Sequence, residues 1–223
     1  TETDGNPFFV GEVLRSLGGH TVAESVAALD ELEVPDEVVD VVTQRLERLE
    51  ERTVDALKAA AVAGREFDLA VLERVLSLPA DDVLDALDDA RTEDLIIEHR
   101  EVLDRFSFSH ALVRRALYKT QTRSRRSRMH LKVGSALEEL GGHQPAELGH
   151  HFWHARAVGG ATQAVAHLHE AGRLADEALA WEDAARHYRD ALAALQHHPD
   201  GDAGTRGALL LALGDACERS GDS

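Results

Sequence analysis

Between Asp94 and His110 the spacing of the apolar residues changes from helical to alternating. Before this stretch they recur every three or four residues in four sets: Val38, Val41, Val42, Leu46 and Leu49; Val54, Leu57, Ala60 and Ala61; Leu69, Leu72, Val75 and Leu76; Val83, Leu84, Leu87 and Ala90. Each set makes one apolar stripe on an amphipathic helix. Within LIIEHREVLDRFSFSH, by contrast, Phe106 and Phe108 alternate with Arg105, Ser107 and Ser109, the period of a strand with one buried face. The connection from Arg100 to Asp104 is polar, so the segment predicts two short strands joined as a β-hairpin. ALVRRALYKT then leaves the second strand as another helix.

Punctuation between the sets agrees with this reading. Val34-Pro35-Asp36 opens one helix, Gly64 follows the next, Asp68 stands where it can cap a third, and Pro79 opens a fourth. Helices followed by a hairpin and a further helix predict a winged-helix domain over residues 34–121. Beyond it the chain returns to helical spacing. Met129, Val133, Ala136, Leu137 and Leu140 make a stripe that ends at Gly141-Gly142, giving a connecting helix over 122–145, and Pro145 starts the next.

Residues 146–223 read as helical repeats. Leu168, Ala171-Gly172, Ala184, Tyr188 and Ala191 follow the spacing of a tetratricopeptide unit, in which small residues let two helices approach and Tyr fills the gap. Leu210 and Leu213-Gly214 restart the pattern, and Leu148-Gly149, Phe152 and Ala161 read as a degenerate earlier copy. Aromatic residues make up 4% of the chain, too few for a sandwich or barrel, so the fold class expected is mainly α.

The net charge of −17 disfavours general binding to a phosphate backbone. The one Cys, Cys217, has no internal disulfide partner, and no apolar run approaches the roughly 20 residues of a membrane span. The expected setting is cytoplasmic. The chain begins with Thr1 rather than Met and stops at Ser223 partway through a repeat, which predicts a fragment of a longer protein.

GNPFFVGEVL, near the start, places Asn6 as a helix N-cap and Pro7 as a first helical residue. This segment, then VPDEVVDVVTQRLERL, AAAVAGREFDLAVL and FSFSHALVRRALY in that order, followed by helical repeats, resembles the central part of the STAND signalling ATPases. The likeness is to the large bacterial LuxR-type regulators and their cyclase-linked relatives, and it covers nearly the whole chain. It implies that residues 1–33 are the remnant of a small helical lid, and that Gly5, Asn6 and Pro7 form a Gly-x-Pro motif whose Pro packs on the adenine ring of bound ADP or ATP.

It further implies that His110, in SHALVRRAL, reaches the β-phosphate of ADP in the resting state. Ala111 stands where a related motif carries an acid. The family's ATPase domain is missing here, as no Gly-x-x-x-x-Gly-Lys-Ser/Thr string occurs. What the resemblance implies is a regulatory and sensor portion without catalysis of its own. Its partners would be the upstream ATPase domain and an inducer or protein bound by the repeats, with oligomerisation in the active state.

Each of these residues also has a plainer reading. Asn6 and Pro7 can simply start a helix, and His110 can be structural. Arg114, Arg115, Lys119, Arg123, Arg125, Arg126, Arg128 and Lys132 form a basic run that reads as a solvated helix face paired with the acidic helix carrying Asp81, Asp82, Asp85, Asp88 and Asp89. That acidic helix is the one a winged helix would place in a DNA groove, so direct nucleic-acid contact is not expected. His150, His151 and His154 include a pair at zinc-ligand spacing, but with neither Cys nor carboxylate beside them they read as the flank of a helix packing Phe152 and Trp153. The other function classes left open are a repeat scaffold that binds protein partners and a winged-helix DNA-binding regulator.

Overall fold

The computed structural model describes residues 42–198 and 203–221. They are mainly helical and form two compact units that divide between Gln121 and Thr122. The first contains α1 (Glu51–Ala63), β1 (Glu66–Asp68), α2 (Leu69–Leu76), α3 (Ala80–Thr92), β2 (Ile96–Glu98), β3 (Arg105–Phe108) and α4 (Ala111–Thr120).

The centre of this unit is α1, which packs against α2, α3 and α4. Ala56, Leu57, Ala59, Ala60, Ala61 and Val62 are all buried, and a helix apolar on nearly every side belongs inside a core rather than at its edge. Its alanines keep the surrounding helices close. Leu72 and Val75 of α2, Val83, Leu87 and Ala90 of α3, and Val113, Ala116 and Leu117 of α4 complete the core.

The expectation of a single hairpin is corrected: the sheet has three antiparallel strands in the order β1-β3-β2. The added strand, β1, pairs Phe67 with Phe106 and Asp68 with Arg105, and β2 pairs Ile96 with Phe108. A strand of three residues presents one inward side chain, too few to display alternation. Its state is set by a partner almost 40 residues away, where Phe67 meets the rings of Phe106 and Phe108 with centroids 6.1 and 5.6 Å apart. Because β3 is the central strand, Ser107 is buried along with the two Phe.

Asp68 immediately precedes α2, but its side chain makes no cap hydrogen bond. Its carboxylate instead accepts two hydrogen bonds from Arg105, at 2.8 and 3.1 Å. The bidentate pair ties β1 to β3.

The second unit holds α5 (Arg123–Leu140), α6 (Pro145–His154), a 3-10 turn (Arg156–Val158), α7 (Ala161–Glu177), α8 (Trp181–Leu195) and α9 (Ala203–Ser220). Each helix packs chiefly on its neighbours in sequence. Gly141 follows α5 with φ 72°, and Pro145 opens α6. A Cβ at Gly172 would lie under 3 Å from three ring atoms of Tyr188, so α7 and α8 can approach this closely only with glycine there. The Tyr188 hydroxyl donates to Asp176 Oδ2 at 2.8 Å; burial and this bond together raise its pKa above the ordinary phenol value.

In α9, Leu209 and Ala216 are buried and Leu210 is 50% exposed, and among the described residues a Cβ at Gly214 would meet nothing within 4 Å. Gly172 is small because a ring faces it; among the described residues none faces Gly214.

Candidate functional site

His110 lies at the junction of strand and helix, as N-cap of α4, with extended backbone (φ −143°, ψ 142°). Its carbonyl accepts hydrogen bonds from Val113 N and Arg114 N at 3.1 and 3.5 Å, while its half-buried side chain does not cap the helix. The residue before it is held firmly. Ser109 N donates to the Leu95 carbonyl at 3.0 Å, and the Ser109 hydroxyl donates to the Asp94 carbonyl at 2.7 Å.

Both ends of α4 are anchored on α1. Arg114 Nε donates to the Ala61 carbonyl at 3.1 Å, placing a cation at the C-terminal, negative end of α1, and the buried Gln121 donates to the Lys58 carbonyl at 3.0 Å. The amides of Ala111 and Leu112, the first two of α4, precede the first intrahelical bond, so this fixed N-terminus, with Arg114 and Arg115 one turn on, is an electrostatically favourable place for an anion. Gly5, Asn6 and Pro7 lie outside the described residues.

Comparisons with family models, curated proteins and solved structures return no match. Among the described residues no helix is long and apolar enough to cross a membrane.

The basic run is divided between the two units. Arg114, Arg115 and Lys119 lie on α4 of the first unit, whereas Arg123, Arg125, Arg126, Arg128 and Lys132 lie on α5 of the second, which Thr122 caps by accepting from Arg125 N at 3.3 Å. On α3, Asp88 receives Arg91 at 3.0 Å and Asp89 receives the Thr53 hydroxyl at 3.2 Å. Asp81, Asp82, Asp85 and Asp88 are exposed.

In the second unit, His150, His151 and His154 are joined by His130 of α5. His130 and His151 are 2% and 3% exposed, and their Nδ1 atoms are 3.0 Å apart in a hydrogen bond. The His154 ring stacks on His130 at 4.6 Å and 20°, and His150 meets His154 edge-on at 4.6 Å. The rings stack on and bond one another; among the described residues no group of three or more His, Cys, Asp or Glu is placed to hold a metal ion. His130 escapes a reading of the sequence because it is polar, yet it occupies the stripe His130, Val133, Leu137, and that spacing is the signal that could have found it.

A cleft of about 410 Å³ lies where α7 turns into α8, lined by Leu179, Trp181, Glu182, Asp183 and Arg219. The Arg219 guanidinium sits over the Trp181 ring at 5.1 Å.

Proposed function

We propose that this chain is the regulatory and sensor portion of a nucleotide-controlled signal-transduction ATPase, of the kind that regulates transcription. The first unit acts as a winged helix that holds the ADP-bound resting state, and the second as a tetratricopeptide-like array that binds an inducer or protein partner. The observation that carries the reading is the place of His110: at the head of a helix anchored at both ends, just after the central strand, beside the amides of Ala111 and Leu112 that open the helix. An imidazole and a helix N-terminus together suit a phosphate. Gly5, Asn6 and Pro7 would take the adenine side, and the ATPase core would come from upstream.

Ligands shift a two-state switch only by differential affinity, so a contact made in the closed form alone stabilises that form. In the intact ATPase, His110→Ala is therefore expected to weaken ADP more than ATP and to promote assembly without inducer. A charge-assisted contact contributes about 1.5 to 3 kcal/mol, or tenfold and more in the closed-to-open ratio. The check is ADP and ATP affinity with oligomer size for wild type and variant; equal loss for both nucleotides with unchanged assembly would mean that His110 is structural.

A second reading, a scaffold that binds partners through the repeats alone, draws support from the exposed Leu210 and Leu211 of α9, which a partner could cover. Under it, His110→Ala changes neither nucleotide affinity nor assembly.

A further inference from the structure

We infer that the junction of α5 and α6 is an acid-operated joint, in which His130, His150, His151 and His154 hold the two helices together while neutral and loosen them when protonated. The inference does not depend on the nucleotide-switch reading.

The hydrogen bond between His130 Nδ1 and His151 Nδ1 requires one ring to donate and the other to accept. If both rings take a second proton, N–H faces N–H and the bond becomes a repulsion between two buried cations. His154 lies flat on His130, and His150 is within 5.7 Å of His130 and 4.6 Å of His154, so any further proton enters the same small volume.

Two cations stand beside the cluster, and one of them, Arg156, also interacts with the carboxylate of Asp190 on α8. Arg126 precedes His130 by one helical turn, and Arg156 follows α6 with its guanidinium 3.9 Å from the Trp153 ring. Burial, then the charges of His150, Arg156 and Arg126, lowers the His154 pKa from 6.5 to about 4. Carboxylates of these helices engage other imidazoles: Glu138 of α5 pairs with His167 of α7 at 2.8 Å, and Glu147 of α6 with His143 at 3.2 Å. Those two pairs gain strength when their His is charged, the opposite sign, but both glutamates are close to half exposed, where such pairs contribute little.

The direction follows from proton uptake. An unfolded chain binds protons at His154 below about pH 6.5, whereas the folded joint resists until about pH 4, so the folded state holds fewer protons across that window and loses stability as pH falls through it. Above pH 6.5 the effect is absent, and below pH 4 it levels off. For this one residue the folding equilibrium shifts about thirtyfold between pH 7.5 and pH 5.

The test is amide hydrogen exchange of the full chain at pH 7.5 and 5.0, corrected for intrinsic rates, together with an NMR titration of the histidine ring protons. Peptides from α5 and α6 are expected to lose protection at least about tenfold more than those from α7 and α8, His154 to titrate below pH 5, and His154→Gln to shrink the difference. A uniform loss across α5 to α9, or a His154 titrating between pH 6 and 7, overturns the inference. The titration needs only the wild-type chain, so it decides even if the variant folds poorly.

Discussion

Phe152→Ala is expected to destabilise the second unit by about 3 to 5 kcal/mol. Phe152 is fully buried, and its ring stacks on His167 of α7 at 5.6 Å and 10° while its edge lies against Gly134 of α5. One side chain thus fills the space between three helices, and removing it forfeits both the transfer of the ring from water and the contacts of every atom lining the cavity. Both Trp of the chain, Trp153 and Trp181, lie in the second unit, so tryptophan fluorescence during urea denaturation reports that unit alone. A lower midpoint in fluorescence is expected. A loss below about 1 kcal/mol would mean that the helices collapse onto the vacancy and that the ring is not the keystone described here.

Gly172→Leu is expected to cost about 3 kcal/mol or more, since even a Cβ at this position would collide with three atoms of the Tyr188 ring. Neither helix can yield easily. Leu168 and Ala171 beside Gly172, and Ala184 and Ala191 flanking Tyr188, are all buried, and Tyr188 is pinned by its hydrogen bond to Asp176. The cause can be isolated with a double-mutant cycle. Tyr188→Ala is destabilising alone, but combined with Gly172→Leu it removes the ring that the new side chain strikes, so the double variant should be more stable than the two separate losses predict. Strict additivity in urea denaturation would contradict a steric origin.

What was legible in the sequence depended on how many residues repeated a signal. The stripes of α1, α3, α7 and α8 each span several turns, and their spacing marks the buried face without knowledge of the partner. The strand β1 has three residues, and its pairing with β3 arises from packing of Phe67 far along the chain, which no local pattern carries. Asp68 was legible as a cap by position; its actual partner, Arg105, is again a tertiary neighbour. In α9 the glycine of Leu213-Gly214 stands where no ring faces it among the described residues, so the sequence pattern there has no counterpart to the packing of Gly172 on Tyr188. The position of His110 between strand and helix was legible because alternation stops and helical spacing starts on either side of it, whereas its role came from the resemblance alone. The imidazole cluster was legible only in part: three of its members fall within the six residues of HHFWHA, and the fourth comes from another helix.

In the proposed switch, the N-terminus of α4, under His110, would receive the phosphates of a nucleotide. A backbone amide shift titration of the full chain with ADP, and in parallel with adenosine, tests it most directly. ADP is expected to move the signals of Ala111 and Leu112, with a dissociation constant weaker than about 1 mM because no phosphate-loop string occurs in the sequence, and adenosine to leave them unmoved. Equal shifts with adenosine, or ADP shifts confined to the second unit, would contradict it.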